Sequence, residues 1–192
     1  MAYFPMMVEL RDKKVLVIGG GEEGKKKIQV LKMFGCHVTL IAKRASEEAV
    51  SLTDVFLEKT FEAADMKDDF FIVVAATEDA ALNRMIYELA KEKKIPVNIV
   101  DNTELCTFIF PAIIKDEDVV VSVSSGGKSP YVAQHVKSLI IENMPSDIGK
   151  INERMGEYRK IAKKTYELIG YRSSLFFSRW RMFLLVCQVD LF

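Results

Sequence analysis

Between Lys14 and Asp101 short apolar runs alternate with stretches in which apolar residues return every three or four positions. The runs VLVIG, HVTLIA, a weaker VFLEK, FFIVVAA and PVNIV read as strands. Most are continuously apolar rather than alternating, the pattern of strands covered on both faces. Leu82, Met85, Ile86, Leu89 and Ala90 share one helical face, and Thr77, Glu78 and Asp79 before them supply capping side chains. Strand–helix–strand order of this kind predicts a parallel sheet wound with crossover helices, an α/β Rossmann-like arrangement. After Phe108 the texture changes: FIFPAIIKDEDVVVSVSS places two β-rich runs around a polar KDED, which predicts a hairpin. Ser129 and Pro130 then offer an N-cap and first-turn proline for a helix with Val132, Val136, Leu139 and Ile140 on one face. Pro145 to Asp147 end it and start a last helix, whose stripe of Ile151, Met155, Tyr158, Ile161, Ala162 and Leu168 is expected to be buried. Three regions follow: residues 1–111 as the sheet domain, 112–146 as hairpin plus helix, and 147–192 as a helical C-terminal region.

Composition narrows the partners. Lys+Arg and Asp+Glu both number 27, so no bulk charge attracts a nucleic acid, and any anionic ligand must be held by a local cluster. Cys36, Cys106 and Cys187 are odd in number and form no CxxC pair, against a disulfide framework or structural zinc and in keeping with a reducing cytoplasm. At the N-terminus Pro5 and Glu9 interrupt the apolar stretch and the bases follow it, unlike a signal peptide. The apolar tail SLFFSRWRMFLLVC is cut by Arg179 and Arg181 well short of the ~20 residues that span a bilayer. No membrane association is expected; the tail should pack on protein. Met6, Met7, Met33 and Met85 read as core filler.

Chemistry concentrates where strands end. Gly19, Gly21 and Gly24 fit GxGxxG, directly after a strand and at the mouth of a helix. In such a turn the first glycine makes the bend, the second lets backbone approach a pyrophosphate, and the third lets helix and strand pack closely. The phosphates then rest on N–H groups at the helix N-terminus. A plain glycine-rich turn is the competing reading. Glu22 and Glu23 are unexpected beside a pyrophosphate, so only their backbone should face it. The acidic residue that usually follows the second strand is missing, and IAKRAS puts Lys43 and Arg44 there. They suit an adenosine ribose or a 2′-phosphate, or are simply solvated, which leaves NAD against NADP open.

Strand PVNIV runs into Asp101, at the carboxyl edge where ligands of open α/β folds bind. A carboxylate there could position or take a proton; the alternative is an Asx-turn. SVSSGGKSP, Ser122 to Pro130, imitates a phosphate loop but has Ser122 where the leading glycine belongs. What remains is hydroxyls, N–H groups and one Lys at a helix start, suited to carboxylates, or else a glycine-bearing turn. His37 and His135 have no second His or Cys at metal-ligand spacing, so no metal site is expected.

Taken together, FPMMVELRDKKVLVIGGGEEGKKK, AATEDAALN, NIVDNTELCTFIFPAII and VSVSSGGKSP, in that order, resemble the precorrin-2 dehydrogenase family, which also forms the N-terminal part of sirohaem synthases. The likeness covers Phe4 to Ile169, and its specificity lies in the combination, because GxGxxG recurs in many unrelated enzymes. The resemblance implies oxidation of precorrin-2 to sirohydrochlorin with NAD, a homodimer, and a dimerisation role for the 112–146 region. It implies that NAD meets Gly20, Gly21, Glu22 and Glu23, with Lys43 and Arg44 at the end of the second strand and Thr77 lining the crevice, while Gly19 and Gly24 join the cofactor site through the GxGxxG motif. It makes Asp101 the functional aspartate and sets Ser124 and Ser125 at the edge of the tetrapyrrole pocket, where Gly126 and Lys128 of the same helix start are expected to meet substrate carboxylates. Some relatives also insert iron into sirohydrochlorin, with the same aspartate implicated, and nothing in the motifs separates the two. The tail after Tyr171 matches nothing in the family. Two rivals stand beside this reading: a non-catalytic NAD-sensing module, which would need neither Asp101 nor SSGGKSP, and an NADP-dependent small-carbonyl reductase leaning on Lys43 and Arg44.

Overall fold

The computed structural model describes residues 3–168, with side chains through Lys164. The apolar tail and Cys187 lie outside them. Contacts divide the chain into two compact units, one made of Met1–Ala112 with Val123–His135, the other of Ile113–Ser122 with the chain from Val136 onward.

In the first unit, β1 (Lys14–Gly20), α1 (Glu22–Lys32), β2 (His37–Ala45), α2 (Glu47–Ser51), β3 (Val55–Glu58), β4 (Ile72–Ala75), α3 (Ala80–Glu92) and β5 (Val97–Ile99) follow one another. They form a five-stranded sheet in the order β3-β2-β1-β4-β5, every pair parallel. The predicted strands are all present, and the order is that of a Rossmann-like sheet. Two faces of core follow from the period of two along each strand. Leu16, Ile18, Val73, Val97 and Ile99 pack with Ile86 and Ala90 of α3. Val15, Val17, Val38, Leu40 and Val74 pack with Ile28 and Leu31 of α1. Each such Val, Leu or Ile side chain, withdrawn wholly from water, stabilises by about 1.5–3 kcal/mol. Asp79 caps α3 as anticipated, its Oδ1 accepting from the N–H groups of Ala81 at 2.9 Å and Leu82 at 3.0 Å.

Two details depart from the sequence pattern. β2 runs past Ala42 to Ala45, because Gly20 at the end of β1 pairs with Ala45 after an irregularity. The methionines expected in the core are outside it: Met6, Met7, Met33 and Met85 are all exposed, and among the described residues Met66 is the buried one. An unbranched, polarisable side chain fits a core gap, but sequence does not tell which methionine meets one.

In the second unit, β6 (Ala112–Asp116) and β7 (Val119–Val123) form the expected hairpin, turning on Glu117 and Asp118. α4 (Pro130–Asn143), whose residues through His135 belong to the first unit, starts where Ser129 Oγ accepts from the Val132 N–H at 3.2 Å. α5 (Ile148–Leu168) is anchored to the hairpin, since Asp116 accepts from the Gly149 N–H at 2.7 Å. The apolar stripe of α5 is covered only in part: Ile151, Met155 and Ala162 are half-buried, Tyr158 is 52% and Ile161 63% exposed, and the side chain of Leu168 lies outside those described. Amphipathic spacing specifies that a face suits cover, not that the same chain provides it. Tyr131, Val132, Leu139 and Ile141 of α4 are exposed likewise.

Candidate active site

The sheet changes winding direction between β1 and β4, and that switch point is where open α/β sheets bind ligands. Gly19 lies there at φ 106°, and a Cβ on it would fall 2.2 Å from the Ala76 carbonyl oxygen beyond β4. A Cβ on Gly24 would sit 2.0 Å from the Gly19 carbonyl oxygen, so this glycine lets α1 close onto β1. Gly21 differs: no atom lies within 4 Å of its would-be Cβ, and φ −74°, ψ −175° is open to any residue. Nothing among the described residues requires glycine at that position. It is also the N-cap of α1, where no side chain satisfies the first-turn N–H groups. Open space over uncapped N–H groups fits the pyrophosphate of a dinucleotide.

The two glutamates are dealt with inside the helix. Glu22 pairs with Lys25 at 3.0 Å and Glu23 with Lys26 at 2.6 Å. The hydrogen bond from Lys26 holds the Glu23 carboxyl below its ordinary range, against the opposing effect of burial. Lys25 also reaches Glu48 at 3.2 Å. The acids therefore cancel neighbouring lysines along α1. Lys27, the third lysine, has no carboxylate partner among the described residues and lies over the Phe110 ring, 5.0 Å from its centroid.

Lys43 and Arg44 are exposed on the prolonged end of β2. The Arg44 carbonyl lies 2.5 Å from where a Gly20 Cβ would be, which brings this pair beside the glycine turn. On the other side of β1, Thr77 follows β4 and is tied to Asn83 twice. Its hydroxyl donates to Asn83 Oδ1 at 2.7 Å and its carbonyl accepts from Asn83 Nδ2 at 2.9 Å. Asn83 is only 8% exposed. Sequence reading passed over it; the signal was an amide three positions before Ile86, inside the apolar stripe.

Asp101 stands two residues beyond Ile99, which pairs with Ala75, which in turn pairs with Ile18. At about 4.8 Å per strand, the ends of β1 and β5 are about 10 Å apart along one edge. Asp101 is exposed and held at φ 61° in a turn closed by the Asn102 N–H on the Ile99 carbonyl, 3.3 Å. The third position of such a turn normally takes glycine or asparagine. Cys106 Sγ braces the turn: it accepts from the Ile99 N–H at 3.2 Å and lies 3.1 Å from the Asn102 carbonyl, to which it can donate. Burial pushes this thiol up.

The SSGG loop reaches the same place. A Cβ on Gly127, at φ 79°, would lie 2.9 Å from Thr103 Cγ2, two residues after Asp101. Ser124 Oγ accepts from the Gly126 N–H at 3.1 Å and Ser125 Oγ from the Ser129 N–H at 2.9 Å. Each hydroxyl spends a lone pair on the loop and keeps its proton for an outside acceptor. Lys128 beside them is exposed. The structure thus joins the glycine turn to Thr77, and the Asp101 turn to SSGGK. Among the described residues no group of three or more His, Cys, Asp and Glu could hold a metal ion, and no helix is long and apolar enough to cross a membrane.

Residues 6–112 match the family model described as putative NAD(P)-binding. The chain is 35% identical over 176 residues to the siroheme synthase of Ruthia magnifica subsp. Calyptogena magnifica, covering 90% of this chain and 37% of that protein. To the siroheme synthase of Methylococcus capsulatus it is 40% identical over 164 residues, 83% of this chain and 34% of that one. It therefore spans little more than a third of the curated relatives it matches. Among solved structures, SirC, precorrin-2 dehydrogenase, superposes with a TM-score of 0.63 at 23% identity, over 81% of this chain and 78% of that one, a likeness of fold.

Proposed function

The chain belongs to the putative NAD(P)-binding family, and from that premise we propose that it is an NAD-dependent precorrin-2 dehydrogenase, oxidising precorrin-2 to sirohydrochlorin on the way to sirohaem. One observation carries the reading: an uncapped helix N-terminus under open space at Gly21 shares a sheet edge with a carboxylate, Asp101, in a backbone conformation that favours glycine. The names of the similar proteins add support from outside the geometry.

In this proposal the N–H groups at Gly20 to Glu23 hold the pyrophosphate, Lys43 and Arg44 border the adenosine ribose, and Thr77 lines the other half of the crevice. When bound, NAD supplies the two-electron acceptor for the hydride lost from a macrocycle C–H bond. Asp101 takes the accompanying proton, so that two electrons and two hydrogens leave the substrate. The substrate's carboxylates meet the hydroxyl donors of Ser124 and Ser125 and the Lys128 ammonium, an arrangement that lets a chain of zero net charge bind a polyanion. The enzyme works in the cytoplasm as a homodimer, and the exposed apolar positions of α4 are the surface that a second copy would cover.

The test is anaerobic incubation of the purified chain with precorrin-2 and NAD, following NADH and the tetrapyrrole spectrum. NADH should appear with sirohydrochlorin, and Asp101→Asn should bind NAD yet fail to turn over. NADP in place of NAD shows what Lys43 and Arg44 read, and ferrous ion added afterwards shows whether sirohydrochlorin is also metallated. No spectral change with wild-type protein that binds NAD would refute the dehydrogenase in favour of a sensor; turnover of a small carbonyl with NADPH would favour the reductase.

A further inference from the structure

The hydrogen-bond accounting at Thr77 has only one solution. Its carbonyl oxygen can only accept, so the Asn83 atom 2.9 Å away must be the amide nitrogen. The opposite assignment would set two oxygens face to face at that distance. Asn83 Oδ1 is thereby turned toward the Thr77 hydroxyl, 2.7 Å away, and an amide oxygen can only accept. The Thr77 hydroxyl has one proton, and Asn83 takes it; the Asp79 carbonyl, a further acceptor 3.4 Å away, competes for the same proton. Asn83 is 8% exposed and on α3, so water does not offer it another partner cheaply.

We infer that Asn83 is a positioning residue that makes Thr77 an obligate hydrogen-bond acceptor, and that Thr77 recognises an N–H or O–H donor on the nicotinamide half of the dinucleotide rather than a phosphate oxygen. The inference rests on the proposed cofactor site. The half is assigned by the sheet: Lys43 and Arg44 end β2 on one side of β1, whereas Thr77 ends β4 on the other, next to β5 and Asp101. Two donors are available there, the ribose hydroxyls and the carboxamide NH₂. A phosphate oxygen at the Thr77 hydroxyl would meet only lone pairs. The discrimination lies in the order of Thr77, Asn83 and the strand end, since a threonine with an unengaged proton would accept either kind of ligand.

Binding, not turnover, reads this out. Affinities of NADH, ADP-ribose, ADP and the 3-acetylpyridine analogue of NADH, which keeps the ring carbonyl but has no NH₂, are measured by titration on wild type, Thr77→Val and Thr77→Ser. Thr77→Val, equal in shape but without the acceptor, should weaken NADH by about 5- to 15-fold. It should leave ADP unchanged, and Thr77→Ser should stay within about two-fold of wild type. If the donor is a ribose hydroxyl, ADP-ribose loses the same factor; if it is the carboxamide, ADP-ribose is spared and the acetylpyridine analogue is weak on wild type and insensitive to the substitution. Unchanged NADH binding by Thr77→Val, or equal losses for NADH and ADP, overturns the inference. Absence of NADH binding by wild type overturns the cofactor site itself, a separate result.

Discussion

Gly21 and Gly24 are three residues apart in one motif, yet the structure gives them opposite work, which a pair of alanine substitutions separates. At Gly24 the new methyl would be 2.0 Å from the Gly19 carbonyl oxygen, a backbone atom that cannot swing aside. α1 must shift away from β1, where Ile28 and Leu31 are fully packed. Overpacking of this kind costs about 1–3 kcal/mol, and at about 2–4 °C per kcal/mol for a chain of this size Gly24→Ala should lower Tm by roughly 2–12 °C. At Gly21 the methyl meets no protein atom and the backbone angles are ordinary. Loss of a mediocre N-cap and gain from a less flexible unfolded chain are each a few tenths to about 1 kcal/mol and oppose one another. Tm of Gly21→Ala should therefore stay within about 3 °C of wild type. Its methyl, however, fills the space assigned to the pyrophosphate and removes one or two charge-assisted hydrogen bonds, each worth about 1.5–3 kcal/mol, so NADH should bind at least about ten-fold more weakly. Differential scanning calorimetry and NADH titration on the two variants check both halves. If Gly21→Ala binds NADH as wild type does, or if it melts as early as Gly24→Ala, the assignment of an open phosphate seat at Gly21 is refuted.

Asp101→Gly should be at least as stable as wild type, because relief of a left-handed residue, about 1–2 kcal/mol for an L-residue, is only partly offset by the entropy of glycine; dehydrogenation should nevertheless vanish, and a less stable or still active variant contradicts the role given to this turn. Acid should destabilise the fold through Asp54, whose carboxyl is raised by burial but lowered more strongly by Lys32 and the Val38 N–H, for a net position below its usual range. A carboxylate so depressed contributes stability that is complete above about pH 4, the ordinary carboxylate value, and is lost as pH falls through its lower folded value. Asp54→Asn should cost about 1 kcal/mol at pH 7, a charged hydrogen bond discounted for partial exposure, and should flatten the fall in urea midpoint between about pH 4 and pH 2; an unchanged acid profile would remove Asp54 from that account.

The sequence by itself determined the sheet and the strand ends at which the glycine motif and Asp101 stand. Continuous apolar runs such as VLVIG could be buried only between two helical layers, and the strand–helix alternation allowed few topologies besides a wound parallel sheet. The glycine motif and Asp101 were legible for the same local reason, each following directly on a strand. Tertiary structure decided what depends on distant neighbours. Only it shows that Gly24 answers to Gly19 while Gly21 answers to nothing in the protein, that Glu22 and Glu23 are spent on Lys25 and Lys26, and that Gly127 comes to rest on Thr103. Asn83 and Cys106 escaped sequence reading because their contacts are relational: each is tied to a hydrogen-bond partner that only the fold places beside it. The fate of the apolar stripes on α4 and α5 was illegible too, since periodicity records that a surface avoids water and carries no mark of what lies against it.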